Sequence, residues 1–258
     1  MDLFKSIRRR SVLSEVAYVF LNILLAVMLL VLVIVVNVPW PALGLVLLSK
    51  WRIFAVRSRY WVANIRANLI DTIVGVSMVV LLHAASGDLT TQISLTALFV
   101  AWLLFLKPRS KRAYVAAQAM TGLVFGIAAI IQISPSLPVS VVVALSWVVG
   151  YAATRHILSI QHESHINFLS LLWGFVVAEI MWLSYHWTIG YQIGNSLQLS
   201  QVVVIIAALS FLAERIYVSY HKNGQVRANE VLMPVLFSIS VIMVLVVDML
   251  RRISDSAI

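Results

Sequence analysis

Runs of about 20 apolar residues recur along this chain, parted by short polar or proline-containing breaks. Nothing else in the sequence restricts the fold as strongly. A helix of roughly 20 such residues spans the ~30 Å hydrocarbon core of a bilayer. Of 258 residues, 62% are hydrophobic and 11% charged, too little polar surface to cover a water-soluble domain of this length. The expectation is an all-α polytopic transmembrane helical bundle, with residues 1–258 forming a single domain.

Prolines, glycines and charges divide the runs into nine spans: 16–36, 42–54, 67–84, 91–106, 113–133, 139–158, 166–187, 199–218 and 231–250. Pro39 and Pro41, Ser86-Gly87-Asp88, Lys107-Pro108 and Ser134-Pro135-Ser136-Leu137-Pro138 mark turns, and Pro234 reads as belonging to the first turn of the last span. Arg9-Arg10 ahead of the first run looks like a twin-arginine export signal. The run is too long for one and no small-residue cleavage site follows, so an uncleaved first helix is expected.

Charge tests the count. With the N-terminus cytoplasmic, the inner segments carry four, five, four, one and three Lys/Arg, while the four outer loops carry none. Arg251 and Arg252 alone fall outside, which leaves 17 of 19 inside, as the positive-inside rule requires. The same bias argues that the short second run crosses. A last span that re-enters instead of crossing would leave eight. The net charge of +9 thus reads as membrane orientation, and no nucleic-acid partner is expected. Segment 50–66 mixes Arg52, Arg57, Arg59 and Arg66 with Phe54, Tyr60 and Trp61, which suits an amphipathic stretch among anionic lipid headgroups.

Several chemistries are excluded. Cysteine is absent, so disulfides, iron–sulfur clusters and thiolate metal sites are ruled out. No loop is long enough for a soluble catalytic domain, no phosphate loop is present, and no span holds a mid-helix lysine for a retinal Schiff base.

Glu179 stands in span seven, where a carboxylate costs roughly 2.5–3.5 kcal/mol and is a functional suspect by default. Ser170, Gly174 and Ala178 recur every four residues on the same span and should admit a close neighbour. The segment Ala178–His186 is echoed by Ala213–His221, both reading A-E-x-x-[WY]-[LV]-S-Y-H. The two copies pair Glu179 with His186 and Glu214 with His221, in opposite membrane orientation, as inverted-repeat transporters do. Gln118, Ser146, Thr154 and Glu214 are the groups expected to meet Glu179 in a hydrated cavity. Trp, Tyr and His also populate interfaces without any function, and a chance echo is the plainer reading.

Arg155, His156, His162, Glu163 and His165 form a cluster between spans six and seven. Histidines three apart do not meet the H-E-x-x-H requirement of i, i+4, so a polar headgroup loop outweighs a metal site. Asp71 is expected to pair with nearby Arg66, and Asp248 with Arg251 or Arg252. His83 with His186, or His156 with His221, would suit haem ligation, but lone interfacial histidines are far commoner. No cofactor and no metal are expected.

The run KWRIFAVRSRYWVANIRANLID, roughly a tenth of the chain, resembles stretches of multi-span membrane proteins of small-genome bacteria. That resemblance implies a bacterial inner membrane and no activity. The residues themselves read first as a small transporter-like or permease-subunit protein, with proton coupling at Glu179. An enzyme on a lipid or lipid-linked substrate at the cytoplasmic face is the second reading. A scaffold for membrane-protein partners or a second copy is the third.

Overall fold

The computed structural model describes residues 12–36, 38–161, 163–186 and 189–256. His162 and the side chain of Arg52 lie outside what is described. Ten α-helices make up the described chain: α1 Val12–Val36, α2 Trp40–Ser49, α3 Trp61–Ala67, α4 Leu69–Ala84 and α5 Leu89–Ala101, then α6 Arg112–Ile133, α7 Val139–Leu158, α8 Ile166–Tyr185, α9 Gln201–Asn223 and α10 Ala228–Ser256. The all-α bundle is therefore the fold.

Seven helices are long and apolar enough to cross a membrane. Residues 58–67 and 69–84, bent by 64° at Asn68, would make an eighth. The second run, 42–54, falls short, because its helix α2 stops at Ser49 and a 3₁₀ turn, Trp51–Ile53, takes over. Ten residues rise only ~15 Å, half a bilayer core. The last helix α10 is one unbroken element, and Pro234 sits past its first turn, where the i−4 backbone bond is lost.

Hydrogen bonds sort the loops into two ends. At one, Lys50, Asp71 and Lys107 meet, Gln118 binds the carbonyls of Leu106 and Arg109, and Tyr217 meets Glu163. This is termed the basic end. The other is capped by an antiparallel hairpin, β1 Gly190–Ile193 with β2 Leu197–Ser200, which opens α9 two residues later than the expected span. Gly194 turns the hairpin at φ +65°, and a Cβ there would strike Thr91 and Asp88. Asp88 accepts from the Asn195 amide at 2.9 Å and from the Thr91 hydroxyl at 2.7 Å, and these bonds hold its carboxyl below the ordinary range. Gln132 Nε2 donates to the Gln198 carbonyl at 2.6 Å. Tyr191 donates to Asp248 at 2.8 Å, and Asp248 also pairs with Arg252 at 3.0 Å, the partner expected from the sequence.

The centre of the bundle is α4, α6 and α7, where Val74, Met78, Leu82, Leu123, Ile127 and Val142 are shut off from solvent. Helix α8 lies along α7 for most of its length and meets α9 only sparsely, while α10 packs chiefly on α9. The α7–α8 contact depends on small residues, as expected. Ser146, Gly150, Ser170, Gly174 and Ala178 are all buried in it. A Cβ on Gly174 would lie 2.8 Å from the Trp147 carbonyl oxygen, so the helix backbones touch there.

Candidate functional site

Because α9 stands off from α8, a cavity of about 340 Å³ remains among α6, α7, α8 and α9 toward the basic end. Helical periodicity builds two of its walls. Leu169, Leu172, Trp173 and Val176 of α8 are spaced i, i+3, i+4, i+7, and so are Ser210, Ala213, Glu214 and Tyr217 of α9. Met120 and Leu123 of α6 and Ala153, Thr154 and Ile157 of α7 complete it. Leu172 is half exposed, so the chamber opens sideways between α8 and α9.

The lining is apolar but for a few groups gathered on α9 and its neighbours. Glu214 lies on this wall with its side chain 12% exposed, and Arg215 Nε meets its Oε2 at 3.3 Å from the outer side. Trp173 Nε1 donates to the Ser210 hydroxyl at 3.2 Å across the α8–α9 gap. The Tyr217 hydroxyl donates to Glu163 Oε2, a short contact, which joins α9 to the loop before α8. One carboxylate and three hydroxyls in a greasy pocket is the arrangement expected of a site for an amphiphile with a positively charged or hydroxylated head.

Glu179 is elsewhere. It is exposed on the outward stripe of α8, with Phe175, Trp182 and Leu183 around it, and has no hydrogen-bond or ion-pair partner among the described residues. The expected meeting of Glu179 with Gln118, Ser146, Thr154 and Glu214 does not occur. The reason is helical: Ala178 faces α7, and the next residue is turned ~100° from it. His186 is exposed against the ring of Tyr185, and His221 is exposed and stacked on Tyr217 with centroids 5.6 Å apart. Neither histidine is bonded to the carboxylate of its own repeat.

The basic-end cluster is dispersed as well. Arg155 donates to Asn167, His156 turns inward to Gln118 at 2.8 Å, and His165 is exposed. Gln118 spends its amide N–H groups on the Leu106 and Arg109 carbonyls, at 2.6 and 2.8 Å. Its Oε1 must therefore accept, which places the His156 proton on Nε2. Arg57, Arg59 and Arg66 are all exposed. Among the described residues, no group of three or more His, Asp and Glu is placed to hold a metal ion.

Asp71 does form an ion pair, but with Lys50 and Lys107 in place of Arg66. The 64° bend at Asn68 turns Arg66 outward, while antiparallel α2 delivers Lys50 to the level of Asp71. Sequence reading missed this triad, although both lysines close apolar runs and Asp71 opens one.

Glu163 carries a measurable pH signature. Hydrogen bonds from Tyr217 and from the His165 amide draw its pKa from 4.5 down to about 2. A carboxylate depressed on folding contributes stability that is full above 4.5 and lost as pH falls toward 2. Glu163→Gln should therefore flatten the fall in melting temperature between pH 5 and pH 2.5, measured in detergent. An acid limb as steep as that of the wild type would contradict the bond.

No protein-family model, no curated protein and no solved structure matches the chain.

Proposed function

We propose that the chain is an integral membrane protein of the bacterial inner membrane, transporter-like, with the basic end cytoplasmic. Its substrate is an amphiphilic organic cation whose apolar body occupies the α6–α9 cavity and whose charge meets Glu214. Seven long apolar helices with exposed Leu, Phe and Val support membrane insertion. The gathering of Lys50, Lys107 and Arg109 at one end of the bundle supports the orientation.

The observation that carries the reading is Glu214, a mostly shielded carboxylate in an otherwise apolar chamber that opens laterally. A substrate cation arriving from the bilayer would take the place of Arg215 as its counter-ion. A proton would compete for the same carboxylate, so substrate and proton each weaken the other's binding by the same factor. That reciprocity is the minimum needed for exchange. The part given to Glu179 by sequence reading falls to Glu214.

The test is a titration of the purified protein with a rhodamine-type lipophilic cation, followed by fluorescence polarisation. Glu214→Gln should weaken binding about tenfold, the value of one charge-assisted contact, and remove its pH dependence. Ala213→Trp, which fills the chamber, should also weaken it, while Glu179→Gln leaves it unchanged. Loss on Glu179→Gln with no effect of Glu214→Gln would move the centre to the outer face of α8 and sink the proposal.

A further inference from the structure

A second concavity, of about 440 Å³, lies between α1 and α2, apart from the α6–α9 cavity. Its walls are aliphatic: Leu21, Leu24, Leu25 and Met28 from α1 and Leu45 from α2. The polar groups lining it are Asn22, Ser49, Trp51 and Lys107. A groove of this kind, apolar along its walls and cationic where Lys107 enters, has the chemistry to receive an acyl chain with a charged head.

The charge count says which head. Lys107 Nζ lies 3.1 Å from Asp71 Oδ2, but that oxygen is already held by Lys50. Two ammonium groups share one carboxylate, which leaves one positive charge over. Among the described residues, no second carboxylate is within ion-pair distance of either lysine. The side chains of Lys50, Asp71 and Lys107 are 10%, 16% and 30% exposed, so water screens the surplus poorly. Lys107, the most open of the three, is the one that lines the groove. Asn22, which also lines the groove, spends one amide N–H on the Tyr18 carbonyl at 2.7 Å, and an amide has two.

We propose that the α1–α2 groove binds one anionic glycerophospholipid, with its phosphate on Lys107 and Asn22 and an acyl chain along Leu21, Leu24 and Met28. The site is separate from the exposed Arg57, Arg59 and Arg66, none of which lines it. It also stands or falls independently of the α6–α9 cavity.

Native mass spectrometry of the delipidated protein in non-ionic detergent tests it, with phosphatidylglycerol, phosphatidylcholine and inorganic phosphate as probes. One phosphatidylglycerol should be retained over phosphatidylcholine by about fivefold, the worth of one lipid-facing charge. Lys107→Gln should abolish that preference, and Lys107→Arg should keep it. Leu24→Trp, at a half-exposed groove position, should lower retention of both lipids, and it decides the matter should Lys107→Gln fail to fold. Arg57→Gln with Arg59→Gln should leave the single tight adduct intact. Equal retention of the two lipids by the wild type, a preference that survives Lys107→Gln, or displacement of the lipid by equimolar inorganic phosphate would each overturn the proposal.

Discussion

Asp71→Leu should destabilise the fold by about 3–5 kcal/mol, because it strands a buried ammonium without its counter-charge. Lys50 is the group that suffers, being 10% exposed with Asp71 as its partner. Lys107 is the less enclosed of the two, 30% exposed. Adding Lys50→Met should therefore recover most of the loss, since replacing both members of a buried pair by apolar groups is often close to neutral. The measurement is thermal unfolding in detergent for wild type, both single variants and the double. If the double variant is as unstable as Asp71→Leu alone, the Lys50–Asp71 pair is not what holds α2 against α4.

The second large effect belongs to Gly174. A methyl group there lies 2.8 Å from the Trp147 carbonyl oxygen, and backbone cannot swing aside as a side chain can. Gly174→Ala should cost about 1–3 kcal/mol by overpacking, despite the better helix propensity of alanine. Gly174→Leu should prevent α7 and α8 from closing. Gly44→Ala is the matched control, because nothing lies within 4 Å of the added methyl. It should be neutral or stabilise by up to ~1 kcal/mol through propensity alone. Equal behaviour of Gly44→Ala and Gly174→Ala would show that the α7–α8 contact is looser than described.

These two residues mark how far the sequence can be read. Ser170, Gly174 and Ala178 announce a helix contact by spacing alone, and they occupy one. The same stripe also disclosed where Glu179 must point, a quarter-turn off the packed face, but rarity of charge outweighed geometry in the reading. Glu214 was legible through its own stripe, since Ser210, Ala213 and Tyr217 share its face. What no local pattern could show is that α9 would stand away from α8 and leave space beside that face. The hairpin was within reach, because Tyr191-Gln192-Ile193 and Leu197-Gln198-Leu199 alternate on either side of a Gly194-Asn195 turn. The Lys50–Asp71–Lys107 triad lay beyond local reading. Its members come from three separate helix ends, the close of α2, the first turn of α4 and the residue after the extension of α5, and only the antiparallel return of α2 and α5 brings them to one level.

The sparse meeting of α8 with α9 also divides the mechanics of the molecule. Helices α7 and α8 form one tight pair, α9 and α10 form another, and the chamber is the seam between them. Among the described residues two side-chain bonds cross that seam: Trp173 to Ser210 midway, and Tyr217 to Glu163 at the basic end. At the opposite end the hairpin ahead of α9 ties the second pair to Asp88 and to Gln132 of α6, and its Tyr191 bonds Asp248 of α10 within the pair. Two bonds to the α5 and α6 side thus hold the hairpin end, while Tyr217 to Glu163 alone closes the seam at the basic end. Tyr217 is therefore at once part of the chamber wall and the bond that closes the seam at the basic end.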